Sequence, residues 1–211
     1  MIKVIIADDH PIVRQGLKQI LTESSEIDVM AEAGNGREAL AAIRKFRCDV
    51  AILDLSMPDA TGLELMKQIK IEKPALPILI LSVYPEDQYA LRTLRAGASG
   101  YLTKGSAPDE LVSAVRKVAA GGRYITPSLA EKLAIELQSP ATAKLPHESL
   151  SDREYEVFEL IAMGETPGRI AEKLSLSPKT VSTYRARILE KTGMKTNADL
   201  MRYAFERKLV E

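Results

Sequence analysis

Short apolar runs alternate along this chain with longer stretches in which apolar residues recur every three or four positions. Runs over 2–7, 28–33, 50–55, 77–83 and 100–103 read as strands. Several are unbroken in Val, Ile, Leu and Ala, the signature of parallel strands covered on both faces. The amphipathic stretches between them predict helices over 11–22, 36–46, 62–71, 85–95 and 108–120. Pro11, Pro85 and Pro108 stand at or near first turns, and Asn35 with Glu38, like Ser106 with Asp109, has the spacing of a capping box. Five β/α units in about 125 residues predict a doubly wound, flavodoxin-like α/β domain built on a five-stranded parallel sheet.

The pattern changes beyond Gly121-Gly122. Residues 127–138 read as a short helix, and 139–149, with Pro140 and Pro146, as a linker. From Leu150 onward no strand pattern occurs. Ser151 and Glu154 have capping-box spacing, and Leu150 with Tyr155 has the spacing of a hydrophobic staple. Further helices open at Thr166-Pro167, at Ser177-Pro178 and over 196–208, predicting a small all-α domain of four helices. The turn between the second and third, with small Ala171 before it and apolar Leu176 and Val181 after it, suits a helix-turn-helix. A plain four-helix bundle satisfies the same periodicity.

Charge separates these two readings. Lys and Arg total 29 and Asp and Glu total 29, so the net charge is zero and no overall basic excess points to nucleic acid. Within the second domain the balance is uneven. Residues 147–165 carry six acidic groups against Arg153, whereas 168–195 carry seven basic groups against Glu172 and Glu190. The helix-turn-helix segment thus concentrates positive charge, which suits phosphate contacts. A single cysteine, Cys48, excludes an internal disulfide and reads as a small apolar filler. Two histidines, His10 and His147, exclude a multi-histidine metal site. No apolar run approaches the roughly 20 residues of a membrane span, and Met1–Val4 lead straight into a strand without a signal-peptide pattern, so the expected location is the cytoplasm, with no membrane partner.

Ligands of doubly wound sheets bind beyond the carboxyl ends of the strands. There the first strand presents Asp8 and Asp9, the third Asp54, the fourth Ser82 and the fifth Lys104. Each has an ordinary reading alone: Asp8 or Asp9 as a cap for the helix at Pro11, Lys104 as a solvated charge. Together, three carboxylates in one crevice repel and call for a cation. Oxygen donors with water suit Mg²⁺, and a nearby ammonium can neutralise a phosphoryl group. The set fits phosphoryl transfer to a carboxylate, giving an acyl phosphate. His10 reads as a residue of the helix start, with an influence on the pocket as the alternative.

The motifs I-I-A-D-D-H-P, L-D-L-S-M-P-D-A-T-G, I-L-I-L-S-V-Y and G-A-S-G-Y-L-T-K-G resemble the receiver domain of two-component response regulators, over 1–122. The runs L-S-D-R-E-Y-E-V-F-E-L-I-A-M-G and I-A-E-K-L-S-L-S-P-K-T-V-S-T-Y-R-A-R-I-L-E-K-T-G resemble the LuxR/GerE-type DNA-binding domain, over 148–211, leaving 123–147 as a linker with a short helix. Together they place the chain near the NarL/FixJ class, particularly BvgA-like members with V-S-T-Y-R. The resemblance implies Asp54 as phosphoacceptor, Asp8 and Asp9 as the acidic pocket, and Asp9, Asp54 and the Ser56 carbonyl around Mg²⁺. It implies Lys104 on the phosphoryl group, Ser82 with Tyr101 as the switch pair, and Ser56 and Tyr84 as residues tuning acyl-phosphate lifetime. In the second domain it implies a recognition helix over 178–192, with Ser182, Thr183 and Ala186 toward bases, Lys179, Thr180, Tyr184, Arg187 and Lys191 toward phosphates, and Arg185 undecided.

The implied function is a transcription factor that a sensor histidine kinase phosphorylates and that binds double-stranded promoter DNA, as a homodimer once phosphorylated; RNA polymerase is a further partner the class admits. The departures are Gly105 where many receivers carry proline, Ser182 where many relatives carry lysine, and 167–169, Tyr184 and Thr192. The last helix, with Leu200, Met201, Ala204 and Phe205, reads equally as domain core or dimer surface. Two rivals remain: an aspartyl-phosphate hydrolase, against which Ser56 counts because a carboxylate acid/base belongs at that position, and a protein-interaction adaptor that touches no DNA.

Overall fold

The computed structural model describes residues 1–57, 62–138, 145–207 and 209–210. The chain divides into two compact units, Met1–Gln138 and Ser139–Glu211.

In the first unit five parallel strands, β1 (Ile2–Ala7), β2 (Ile27–Ala33), β3 (Val50–Asp54), β4 (Ile78–Ser82) and β5 (Gly100–Thr103), pair in the order β2-β1-β3-β4-β5. Helices α1 (Pro11–Glu23), α2 (Gly36–Lys45), α3 (Gly62–Glu72), α4 (Glu86–Arg95) and α5 (Pro108–Ala119) connect and flank them, and α6 (Pro127–Gln138) follows. Every residue of β3 and β4 is buried, as their unbroken apolar runs require. Successive side chains of a strand point to opposite faces. Val4, Ile6, Val50, Ile52, Leu79 and Leu81 therefore share one face, where they form a core with Leu17 and Leu21 of α1 and Leu111, Val115 and Val118 of α5.

The second unit is all helical among its described residues: α7 (Asp152–Ala162), α8 (Pro167–Lys173), α9 (Pro178–Thr192) and α10 (Asn197–Glu206). Ser151 forms the expected capping box with Glu154, and Leu150 and Tyr155 are both buried, as a staple demands. Thr166, Ser177 and Thr196 cap the next three helices by side-chain hydrogen bonds. Gly193 closes α9 at φ 70°, a left-handed conformation that costs glycine little. Phe158, Ile161, Ile170, Val181, Ile188, Leu200 and Ala204 supply the core.

Several local expectations shift. Strands β3 and β4 stop at Asp54 and Ser82, a residue short of the apolar pattern. Ser106 does not cap α5: the cap is Ala107, because Pro108 takes the first helical position, and the Ser106 hydroxyl pairs with that of Thr103 instead. Asn35 caps α2, but the Glu38 carboxylate returns to the Gly34 N–H, so the reciprocal half of the box is displaced by one residue. Residues Pro146–Ser149, read as linker, form a 3₁₀ turn packed on α9. The rest of that linker, 139–144, and Lys208 lie outside the described residues, as do 58–61 of the motif after Asp54.

Two glycines give opposite expectations. A Cβ on Gly62 would lie 2.2 Å from the Asp54 carbonyl oxygen and 2.7 Å from Leu55 Cα, whereas one on Gly16 meets nothing within 4 Å. Gly62→Ala forces backbone apart and is expected to destabilise by about 1–3 kcal/mol. Gly16→Ala, inside α1, is expected to stabilise by about 0.5–1 kcal/mol through reduced unfolded-state entropy. Urea unfolding of the two variants, read as midpoints at constant slope, checks both.

Candidate functional site

Sheet register assembles the first site. Ala7 pairs with Leu53, which brings Asp8 beside Asp54, and Ser82 pairs with Thr103, which sets Lys104 just beyond the edge. The order of strands reverses between β1 and β3, so the acid pair and Asp54 flank the switch point of the sheet. Lys104 Nζ lies 2.7 Å from Asp54 Oδ2 and 2.7 Å from Asp8 Oδ2, and both carboxylates are 1% exposed. The Ser56 N–H donates to Asp54 Oδ1 (3.2 Å), and the His10 N–H donates to Asp8 Oδ1 (2.8 Å). The expected residues Asp8, Asp9, Asp54 and Lys104 therefore converge, with Ser56 hydrogen-bonded to Asp54.

Burial raises the Asp54 pKa above the ordinary carboxylate range; Lys104 opposes that shift and Asp8 adds to it. Burial works against the charge of Lys104, but its hydrogen bond to Asp54 and the attraction of both carboxylates outweigh it, and its pKa is raised. The pocket thus holds an ammonium between carboxylates that it neutralises incompletely. Ligand-capable atoms of Asp8, Asp9, His10 and Asp54 all lie within 4.8 Å of one another. Asp8 Oδ2 and Asp9 Oδ1 are buried and accept no well-aligned hydrogen bond; Lys104 Nζ lies 2.7 Å from the first and His10 Nδ1 2.6 Å from the second. Underused buried oxygens of this kind fit a hard divalent cation. This acidic cluster is typical of a Mg²⁺ site in receiver domains.

Ser82 and Tyr101, expected as a switch pair, meet at Tyr84. Ser82 is fully buried and its Oγ accepts from the Tyr84 N–H (3.2 Å). Tyr101 lies inward, 1% exposed, with its hydroxyl donating to the Tyr84 carbonyl (2.8 Å). Burial pushes its phenol well above the usual tyrosine range. The β4–α4 loop carries a contact that no motif announced. Thr126, just before α6, donates its hydroxyl to the Glu86 carboxylate (2.7 Å to each oxygen) and accepts from the Leu129 N–H (3.2 Å). Glu86 opens α4, so the loop after Ser82 is tied to α6. Gly105 follows Lys104 without a cis bond, and none occurs among the described residues. Cys48 is half-buried, and burial raises its thiol pKa.

In the second unit α7 packs on α9 and α10, and α8 packs on α9 across a short turn, in which Ser175 adopts φ 52°. The residues expected on the reading face are arranged unequally. Lys179, Ser182, Thr183, Ala186 and Arg187 are exposed. The Ser182 and Thr183 hydroxyls donate to the Pro178 and Lys179 carbonyls, 3.0 Å each, one turn back. Thr180 is half-buried with its hydroxyl on Ser177 (2.8 Å), and Tyr184 is half-buried.

Four of the seven basic groups are engaged by partners within the domain, although Arg169, Lys173 and Lys191 remain exposed. Lys191 pairs with buried Glu154 (2.6 Å), and Lys173 (2.5 Å) and Arg169 (3.8 Å) pair with Glu165. Arg185, undecided from the sequence, donates to Asn197 Oδ1 (2.6 Å). Lys179, Arg187 and Lys195 pair with no carboxylate among the described residues. The stripe on α10 divides: Leu200 and Ala204 are fully buried, whereas Met201 is 39% and Phe205 73% exposed.

Comparison with known proteins accords with this geometry. The family model of the response regulator receiver domain matches residues 4–116, and that of bacterial regulatory proteins of the luxR family matches residues 148–204. The chain is 37% identical over 211 residues to the response regulator GacA of Pseudomonas aeruginosa, covering 100% of this chain and 99% of that protein. It is 42% identical over 206 residues to the transcriptional regulatory protein UhpA of Salmonella typhimurium, covering 98% and 99%. It is similar in structure to RcsB of Salmonella enterica serovar Typhimurium bound to promoter rprA in the presence of phosphomimetic BeF3−, with a TM-score of 0.64, 30% identity and 96% and 98% of the two chains covered. The chain belongs to the two-component response regulators of the NarL/FixJ class, DNA-binding transcription regulators that join a receiver domain to a LuxR-type helix-turn-helix domain.

Glu154 carries the chemistry of the scaffold around α9. Its carboxylate accepts from the Ser151 N–H (2.7 Å) and from Lys191 (2.6 Å). Burial works to raise its pKa, but these donors outweigh burial and the net shift is downward. A depressed folded pKa contributes stability that is present above the unfolded value and is lost as pH falls through the folded one. Glu154→Gln is expected to lower stability at pH 7 by about 1.5 kcal/mol, the scale of a charged hydrogen bond. It also removes part of the fall in stability below pH about 4.5. Thermal unfolding of both proteins between pH 3 and 7 measures this.

Proposed function

We propose that Asp54 is the phosphoacceptor of this regulator, within a receiver domain over 1–122, and that its phosphorylation by a sensor histidine kinase controls binding of the 148–211 domain to promoter DNA, with 123–147 as linker. The observation that supports this most directly is a buried carboxylate at the carboxyl end of β3, with Lys104 Nζ 2.7 Å away and Asp8 on the far side of that ammonium. An Asp54 oxygen attacks phosphorus in line, the donor's P–N bond breaks, and the electron pair stays on the donor imidazole. Lys104 then neutralises phosphoryl oxygens as a point charge. Asp9, Asp54 and the Ser56 carbonyl, with Asp8 alongside, would hold Mg²⁺, which would supply charge stabilisation for the transfer. The Ser82 hydroxyl turns to a phosphoryl oxygen. That turn releases the Tyr84 N–H, so the loop that also holds the Tyr101 hydroxyl and leads to Glu86 and Thr126 shifts with it.

The DNA contacts follow from the same reading. α9 enters the major groove, with Ser182, Thr183 and Ala186 toward base edges and Lys179 and Arg187 toward phosphates. Thr180 and Tyr184, half-buried, and Lys191, exposed but paired with Glu154, contact the backbone from the rim of that face. The exposed Met201 and Phe205 of α10 supply an apolar surface for a homodimer on paired half-sites. RNA polymerase is a further partner that the class admits. No described helix is long and apolar enough to cross a membrane, which is in keeping with the cytoplasm, where promoter DNA lies.

Asp54→Asn is expected to abolish incorporation of phosphoryl label from a small acyl-phosphate donor with Mg²⁺; label retained at the wild-type level would refute the assignment. On the DNA side, Lys179→Ala and Arg187→Ala should each weaken binding uniformly across sequences and reduce the salt slope by about one. Lys191→Ala should act mainly on stability, because its partner is buried Glu154. Titration of labelled duplex at several salt concentrations separates the two classes of variant.

A further inference from the structure

His10 is unused by the helix it begins. It occupies the N-cap position of α1, with φ −89° and ψ 111°, and its side chain makes no capping hydrogen bond. Its backbone N–H donates to Asp8 Oδ1 (2.8 Å) and Pro11 follows it, so the residue is anchored from both sides. The ring instead turns to the acid pair. Nδ1 lies 2.6 Å from Asp9 Oδ1 and 3.5 Å from Asp8 Oδ1, and the side chain is 63% exposed. Six ligands near 2.1 Å around a divalent ion place adjacent donor atoms about 3 Å apart. The two separations straddle that octahedral edge, and all four donor residues fall within 4.8 Å.

We propose that the ring nitrogen Nδ1 of His10 is a direct ligand of a divalent transition-metal ion held by the Asp8, Asp9 and Asp54 pocket, which makes this a mixed nitrogen–oxygen site that takes Mn²⁺, Co²⁺ or Ni²⁺. The proposal rests on the reading of that pocket as a cation site and adds a ligand from this chain's own sequence. Imidazole suits borderline ions, whereas hard Mg²⁺ is satisfied by carboxylate, carbonyl and water oxygens. His10 therefore acts on the choice of ion and leaves Mg²⁺ binding nearly unchanged. Coordination requires Nδ1 to present its lone pair to the ion, with any ring proton on Nε2.

The full chain loaded with Mn²⁺ tests this by electron spin-echo modulation, which detects a coordinated imidazole ¹⁴N independently of phosphorylation. The wild type should show that coupling, and His10→Ala should lose it with Mn²⁺ still bound. Bound Mn²⁺ without ¹⁴N coupling in the wild type overturns the proposal, as does a coupling that persists in His10→Ala. Absence of any bound Mn²⁺ overturns the cation-site reading itself, and the proposal with it. In parallel, His10→Ala should weaken Ni²⁺ by about tenfold and change Mg²⁺ by less than about twofold. An equal loss for both ions assigns His10 a purely structural part and also overturns the proposal.

Discussion

Lys104 brings one ammonium into a space where Asp8 and Asp54 are each 1% exposed. Two ionised carboxylates at that depth repel each other and have lost most of their water, and a buried charge persists only when it is paired. The ammonium sits 2.7 Å from both and so holds the ends of β1, β3 and β5 in one electrostatic unit. One positive charge against two nearby negative ones leaves a deficit, larger still with Asp9 beside them. That deficit makes the pocket receptive to a divalent cation, and it keeps the buried Asp54 poised for a change of charge.

From that unit the consequences run outward through short contacts. Ser82 lies on the strand between Asp54 and Lys104, and its hydroxyl is already committed to the Tyr84 N–H. Tyr101 closes the same loop from β5 through the Tyr84 carbonyl. Glu86 and Thr126 then tie the loop to α6. Each bond is worth roughly 1 kcal/mol net. A phosphoryl group that competes for the Ser82 hydroxyl therefore needs to supply only a few such increments to reset the loop. The second unit uses the same economy of charge. Buried Glu154 ends a capping box and anchors Lys191, so the scaffold around α9 engages a cation that the sequence alone had offered to DNA.

Most of the architecture was legible because periodicity and end signals agreed. The unbroken apolar runs of β3 and β4, the prolines opening α1 and α5 and the Ser151–Glu154 box are local features that tertiary packing had no reason to override. Where signals competed, reading failed. Ser106 lost the cap because a proline two residues later decides where a helix begins. The 3₁₀ turn at Pro146–Ser149 was hidden because proline and polar residues suit a linker equally well, and only packing against α9 gives it shape.

The sequence by itself determined the class of protein, through the motifs at its strand ends, and the five-stranded sheet with its four crossovers, since these depend on residue order and on spacing along the chain. Tertiary structure alone decided how those residues meet. Register set Asp8 beside Asp54 and put Lys104 between them, and the turn of one ring placed His10 Nδ1 on the acid pair. It also divided the α10 stripe into core and surface, and showed which of seven cations remain unpaired by carboxylates. Pairing and exposure are properties of distance in space, and residues 50 positions apart, such as Asp54 and Lys104, carry no local signal of the 2.7 Å between them.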